Sequence, residues 1–595
     1  MVIDCLFSCF FAAAFVFLFY EIFMMNKSQN RLNGISWLIL SVIVMLCYGT
    51  FVVGFVNIIR IPINILSVGI IYLLSAIGLH YYNYKVKKVE KQKYYWNTID
   101  IAFAVIWLII TVMLVVNFYT PSLKMCFYNT DASVHFKNAT QVFFNQHVYN
   151  MYFAPLQNAL CMDFLSPFLS KVELYKVEII LEGVFLYLEV LFFWAYIREY
   201  INTKAHVVIG IFITLLYTCG YPINGWLFNF LYWGIGVMFI GAAMYFLRCY
   251  RRGGMDKSLL IVFMMIVCAT IPVTYMLFGP FTYIALFIAF FVNCREGKKL
   301  FTKANVMLAL RIFLLPCLLA IYYCYFDYLR VMDMDVSEII GLSGGIFREL
   351  YISFIWVIPL VLYGIIRKIK RRQFDEVFIF TVTYILVQLA LFIGMYKGIV
   401  SVYYFYKFYY PLWFLCFLIA AEAAVDLWKK AGEMLVSMAL IFVALFVFYF
   451  SGTEKKIISS DKGICDYGRA DELFSLYDFN FATYKQSAIR YPEQYKEITE
   501  FVLNELPKDC GDVPVLTDID NYLYCYWYEG FTGVDCSPYY GWKNSFEAVA
   551  DHLSENGIKY FVVYKDSQTY TQHQEIFDSL EHVYESDYGI VVKYQ

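Results

Sequence analysis

The sequence predicts a polytopic α-helical membrane protein of about 14 transmembrane helices, with a small extracytoplasmic α/β domain at its C-terminus. Three observations carry this. The 595 residues are 61% hydrophobic and only 16% charged, far more apolar than a soluble globular chain of that size. Long apolar runs recur throughout the first 450 residues, and after Phe450 the chain turns polar and alternates helical and strand-like signals. The lipid bilayer is therefore a partner, and nucleic acid is not expected to be one.

The apolar runs are Asp4 to Met24, Ile35 to Val56, Ile59 to His80, Ile99 to Val116, Val177 to Ile197, Ala205 to Leu215, Trp226 to Leu247, Leu259 to Tyr275, Phe281 to Val292, Ala304 to Tyr323, Tyr351 to Ile366, Val377 to Tyr396, Phe408 to Ala424 and Leu435 to Phe450. Several fall short of the roughly 20 residues a span normally requires. Between the sixth and seventh, Tyr221-Pro222-Ile223-Asn224-Gly225 leaves room for a broken or tilted helix. The first run lacks a preceding basic region and a following small-residue cleavage site, so it reads as a retained span.

Beyond Phe450 the expected elements are an amphipathic stretch Pro492 to Leu506, a strand Val513 to Leu516, a helix Ser545 to Ser554, and a buried strand Lys559 to Tyr564 after the turn Asn556-Gly557. A helix His573 to Leu580 and strands His582 to Tyr584 and Gly589 to Lys593 complete the set. At about 145 residues this part can bury its own core.

Charge sets the expected topology, because Lys and Arg are retained in short cytoplasmic loops. With the segment after Ile197 inside, the seven inner connections hold 24 basic residues and the outer ones nine. Both termini then lie outside, as does the hydrophilic loop of residues 118–176.

That loop carries Asn129-Thr130-Asp131-Ala132-Ser133-Val134-His135. Asp131 and His135 are four apart and share a face if the segment is helical. The pattern Ala132, Val134, Phe136, Ala139, Val142, Phe143 suggests a helix along the membrane surface. A carboxylate there is placed to orient or deprotonate a substrate hydroxyl. Asn129-Thr130-Asp131 is equally good helix-capping material, and the two roles are compatible.

Charges at membrane depth are costly. Glu178, Glu182 and Glu189 share one face of the fifth run. Arg311 in the tenth run reaches a depth comparable to Glu189, so a structural Glu189 to Arg311 ion pair is expected. Glu182 has no evident partner and is a second candidate carboxylate. On the outer side Lys397, Lys407 and Arg348 stand at heights where a cation can hold a lipid phosphate; Lys397 and Arg348 are also well placed simply to snorkel. Lys407 is embedded in aromatics.

Twelve of the 16 cysteines lie in the apolar part and read as small buried residues. Cys126, Cys161, Cys465, Cys510, Cys525 and Cys536 fall on the expected outer side, where disulfides are permitted and their pairing is open. No His/Cys spacing resembles a zinc site. The sequence specifies no cofactor and leaves a divalent metal open.

Asn129-Thr130-Asp131-Ala132-Ser133-Val134-His135-Phe136, Tyr406-Lys407-Phe408-Tyr409-Tyr410-Pro411, the Asn556 to Tyr564 segment and the closing Tyr584 to Tyr594 together resemble the bacterial integral-membrane glycosyltransferases of the GT-C class. That class places a juxtamembrane Asp in a long first outer loop, followed by further spans and a soluble outer domain. The resemblance divides the chain into additional N-terminal transmembrane helices (1–98), a GT-C-like core (99–450) and an extracytoplasmic domain (451–595). It implies transfer of a sugar from a polyprenyl-phosphate carrier to a polysaccharide, lipid or protein acceptor at the outer face of the cell membrane. Asp131 would be the base or acceptor-orienting residue with His135 in support, and Lys407 with Arg348 would hold the departing phosphate. Lys407 stands where the family commonly has Arg, and Cys219 to Gly225 lacks the family's second carboxylate. Glu182, Asp327, Asp333 and Asp335 are the open choices for that role. Export or flipping of envelope lipids or polysaccharide, resting on Glu182, Glu189 and Arg311, is the alternative function; a non-catalytic envelope assembly protein is another.

Overall fold

A run of apolar residues long enough to cross a bilayer satisfies its backbone only as a helix, and helices dominate the first three quarters of this chain. The computed structural model describes residues 2–25, 34–86, 96–127, 131–148, 153–201, 203–227, 229–293, 301–323, 357–432, 434–436, 438–442, 491–517, 522–539 and 546–594. The helices before residue 200 are α1 (Val2–Met24), α2 (Gly34–Ile58), α3 (Ile65–Tyr81), α4 (Thr98–Tyr119), α5 (Asp131–Asn145), α6 (Phe153–Leu165) and α7 (Tyr175–Ile197). They are followed by α8 (Lys204–Thr218), α9 (Tyr221–Leu227), α10 (Leu231–Arg251), α11 (Lys257–Thr274), α12 (Phe278–Asn293), α13 (Lys303–Tyr323), α14 (Ile358–Lys370), α15 (Glu376–Tyr396), α16 (Val402–Lys407) and α17 (Tyr409–Ala431).

Polar residues at run boundaries set where several helices begin. Asn64 and Ser67 form a reciprocal capping box at α3, and the side chains of Asn97, Thr203, Asp375 and Ser401 accept backbone N–H bonds at the starts of α4, α8, α15 and α16. Among the described residues, ten helical stretches are long and apolar enough to cross a membrane. The sequence reading of about 14 is therefore supported only in part. The expected span Phe281 to Val292 is the 16-residue α12, the described part of Tyr351 to Ile366 is the 13-residue α14, and Leu435 to Phe450 falls largely outside the described residues. The break anticipated at Tyr221 to Gly225 is displaced: that motif is helical, inside α9, and the interruption falls just before it, at Cys219 and Gly220 between α8 and α9.

The remaining elements are α18 (Glu493–Asn504), β1 (Val515–Leu516), α19 (Tyr522–Thr532), α20 (Phe546–Glu555), β2 (Tyr560–Tyr564), α21 (Gln568–Gln572), α22 (Gln574–Asp578), β3 (Glu581–Glu585) and β4 (Gly589–Lys593). Their sheet has the order β1-β2-β4-β3, with β1 parallel to β2 and the other pairs antiparallel. Gly557, at φ +64°, supplies the left-handed residue of the turn before β2. The helix anticipated over His573 to Leu580 is the shorter α22, and a separate short helix, α21, begun by Ser567, whose side chain accepts from Tyr570 N, precedes it. The aromatic-rich α19 was not anticipated at all.

One face of the sheet builds a core with α20, α21 and α22 through Leu553, Phe561, Val563 and Phe577. The other shares a core with the 118–176 loop, joining Val515, Val562 and Val591 to Trp527, Phe136 and Tyr175. The loop is also anchored to the bundle. Asn57 and Val148 exchange hydrogen bonds of 3.2 and 3.1 Å, Ile63 N reaches Gln146 O at 2.7 Å, and Ile65 N reaches Asp163 Oδ2 at 2.7 Å.

Candidate functional site

The helix that begins at Asp131 is the platform of the site. Its buried positions, Ala132, Ser133, Phe136, Ala139, Thr140 and Val142, recur at the three-to-four spacing of one helical face. That face packs against other parts of the protein. Phe136 packs its ring 5.1 Å from those of both Trp527 and Phe531 of α19, and Lys137 Nζ lies 2.5 Å from Glu529, a buried carboxylate that also accepts from Cys536 N at 2.9 Å. The C-terminal part thus holds the orientation of α5.

Asp131 occupies the first turn of α5, where the helix dipole favours a negative charge. Asn129 and Thr130, the rest of the capping motif, lie outside the described residues. One turn on, His135 sets its ring edge-on to Tyr232 at 5.1 Å, and its Nε2 atom is buried with no hydrogen-bond partner. Burial pushes this imidazole below its ordinary value; the Asp131 carboxylate opposes that shift and the Lys407 ammonium adds to it. A neutral imidazole with a bare ring nitrogen is able to take up or relay a proton.

Lys407 arrives from the other end of the sequence. It closes α16, is 2% exposed, and forms no hydrogen bond or ion pair with the described residues. Its Nζ is boxed by rings: the Trp233 centroid is 3.1 Å away, Phe230 4.4 Å and Tyr403 4.7 Å. Ring faces are electron-rich and partly replace lost hydration, although they supply no counter-charge. The charge of Asp131 acts on both Lys407 and His135. Two adjacent residues of α10 organise this meeting, Tyr232 against His135 and Trp233 against Lys407.

A second group of carboxylates sits behind Phe230. Glu182 is buried in α7 and accepts from Asn229 Nδ2 at 2.6 Å and Tyr119 OH at 3.3 Å. Glu178 is equally buried, and its Oε2 has no hydrogen-bond partner. Glu182 and Glu189 line a narrow cavity of about 20 Å³ with Tyr221, Trp226, Phe230 and Tyr410. Tyr221 OH, Tyr410 OH and Trp226 Nε1 are buried there without acceptors. Phe230 is shared, lining the cavity and lying 4.4 Å from Lys407 Nζ at its ring centroid.

The other sequence candidates stand apart. The Glu189 to Arg311 ion pair does not form: Glu189 accepts from Tyr217 OH at 2.9 Å, and Arg311 is on the exposed face of α13. Similar depth had suggested the pair, but depth leaves the rotation of a helix about its axis undetermined. Lys397 is exposed after α15 and does not enter the cluster. Arg348, Asp327, Asp333 and Asp335 lie outside the described residues, as does Cys465. Cys126, Cys161, Cys510 and Cys536 are free thiols, and Cys525 is buried. Among the described residues, no cluster of three or more His, Cys, Asp or Glu side chains is placed to hold a metal ion.

No protein-family model matches the chain, and no curated protein does either. The functional reading therefore rests on the geometry. Tyr232, Trp233, Phe230 and Asn229 are the site residues that sequence reasoning missed. The available local signal was the cluster from Gly225 to Trp233, immediately after the helix break, with Asn229 at φ +58° where the backbone turns sharply.

Proposed function

We propose that the chain transfers a sugar from a polyprenyl-phosphate carrier to a cell-envelope acceptor, the activity implied by its resemblance to GT-C glycosyltransferases. In this proposal the chain crosses the membrane about 14 times, and the site and the C-terminal sheet face outward, as the 24 to nine partition of basic residues implies. The observation that carries the reading is the convergence of Asp131 and His135, on α5, with Lys407, on the distant α16.

Each member has work in such a transfer. The acceptor hydroxyl attacks the anomeric carbon, the bond from that carbon to the carrier phosphate oxygen breaks, and Asp131 takes the hydroxyl proton. His135, neutral, positions the hydroxyl or relays its proton. Lys407 gains in the departing phosphate the counter-charge it otherwise lacks, and that attraction grows as charge develops on the leaving oxygen.

The test is incubation of membranes containing the full chain with labelled lipid-linked sugars, wild type beside Asp131→Asn, followed by product analysis. The variant is expected to insert at wild-type abundance and to lose about 10²- to 10⁴-fold in transfer, the usual contribution of a positioned base. Wild-type transfer by the variant would remove Asp131 from the mechanism.

A further inference from the structure

The far ends of the helices that build the site enclose a second, different cavity. Trp233, beside Lys407, and Arg251 are 18 positions apart on α10, or about 27 Å along its axis. At the Arg251 end, the last turns of α10, α14 and α17 and the start of α15 surround a cavity of about 480 Å³ that opens to solvent. Six lining side chains are Arg or Lys, and four are Asp or Glu.

The carboxylates are already engaged. Glu199 pairs with Arg252 at 2.5 Å and Asp426 with Arg367 at 2.6 Å, while Lys368 bridges Asp375 at 2.5 Å and Glu422 at 2.7 Å. Arg251 reaches past the lining to buried Glu376 at 3.0 Å. Arg372 and Lys429 are left lining the cavity with no ion pair to any described residue. Three N–H donors in the lining are buried without an acceptor: Arg248 Nε, Arg367 Nε and Asn293 Nδ2. Arg248 is only 3% exposed, and the closest carboxylate oxygen to its Nε, on Glu199, is 3.9 Å away, beyond hydrogen-bond reach.

Several helix C-termini end here, and their partial negative charge accounts for some of the cationic surplus. It does not satisfy the orphaned donors, because a buried N–H without an acceptor costs free energy whatever the surrounding field. Guanidinium groups offer parallel N–H pairs that match the oxygens of a phosphate. Basic pockets between helix ends at a membrane boundary suit anionic headgroups by the same chemistry. We propose that this cavity is an anion site for a phosphate group, separate from the Asp131 cluster and at the opposite end of the bundle.

The test uses the purified full chain, read by thermal unfolding. Inorganic phosphate is titrated against sodium chloride of matched ionic strength, and nanodiscs of phosphatidylglycerol are compared with nanodiscs of phosphatidylcholine. The variant is Arg372→Gln with Lys429→Gln, which removes the two unpaired rim cations and no structural ion pair. A ligand that binds only the folded state raises the midpoint. The wild type is expected to be stabilised by phosphate, by phosphatidylglycerol or by both, with half-saturation about tenfold weaker in the variant. A response to phosphate identifies the free ion as a sufficient ligand, and a response confined to phosphatidylglycerol identifies the headgroup. Equal stabilisation by chloride, no response to either probe, or an undiminished response in the variant would each overturn the proposal. Arg248→Gln is unsuitable as the sole variant because Arg248 Nη1 donates to Tyr200 OH and pairs with Glu376.

Discussion

Replacing Gly530 by Ala tests whether the C-terminal part sets the position of the Asp131 helix. A Cβ at Gly530 would lie 2.5 Å from Phe136 Cδ1 and 2.6 Å from Cε1. Carbon atoms pack at about 3.5 to 4.0 Å, so the two helices or the ring must yield by about 1 Å. The ring is hemmed in, fully buried between Trp527 and Phe531, and has little freedom to rotate away. Overpacking of this kind costs about 1 to 3 kcal/mol. The displacement falls on α5, whose first turn holds Asp131, and a misplacement of about 1 Å in a reacting geometry costs roughly 10²-fold in rate. The expected result is a lowered unfolding midpoint, faster amide exchange along α5 and reduced sugar transfer. Phe136→Leu alone costs about 1 kcal/mol through lost ring contacts. In the double variant the smaller side chain gives the new methyl its room, so the two costs should fall short of additivity by at least about 1 kcal/mol. An unaltered midpoint and exchange pattern in Gly530→Ala would refute the docking argument, and so would simple additivity in the double variant.

Lys407→Met keeps the length of the side chain while removing a buried ammonium that has no hydrogen-bonded counter-ion. Stability should rise by about 1 kcal/mol or more while transfer is lost, a combination that a purely structural lysine would not give, and unfolding midpoints read beside transfer rates distinguish the two. For His135, burial places the native value below the unfolded 6.5, so the unfolded chain binds the proton first as pH falls. The contribution of His135 to stability is therefore complete above about 6.5 and is lost as pH drops from there toward the native value; His135→Gln should flatten that part of the midpoint-against-pH curve, and an unchanged slope would assign it to other groups.

The fold was legible where one physical requirement dominates, and less so where several compete. An apolar run of about 20 residues must be helical in lipid, and so α2, α4, α10 and α15 sit within a few residues of their expected spans. The interruption after Thr218 was legible only approximately, because Pro222 signals a helix start and lies at the second position of α9, just beyond it. In the C-terminal part, the alternating apolar pattern gave the strands β2 and β4. The same reasoning failed at α19, where Tyr522 to Thr532 is rich in aromatic residues that favour strands intrinsically. Tertiary packing overrides that preference: Trp527 and Phe531 gain more by enclosing Phe136 from one helical face than a local propensity of tenths of a kcal/mol could oppose.

The site divides along the same line between local and non-local information. Asp131 and His135 were legible because their spacing of four is a property of one helix. Lys407 stood out because a lysine among tyrosines and phenylalanines is costly to bury and needs a reason to be there. What surrounds Lys407 was not legible, since Phe230 and Trp233 are two of many aromatics in a chain that is 21% aromatic. Choosing which rings face a cation requires the rotation of each helix about its axis, a quantity that hydropathy and depth do not contain. The failed Glu189 to Arg311 pair has that same origin. Within α7 the hydrogen bonds settle the rotation: Glu182 and Glu189, seven residues apart, both face the interior, held by Asn229 and Tyr217, while Ile180 and Val184 of the same helix are exposed. A helix therefore turns its costly charges toward protein partners where these exist, and the partner set, more than the depth of a charge, decides whether that charge belongs to a site.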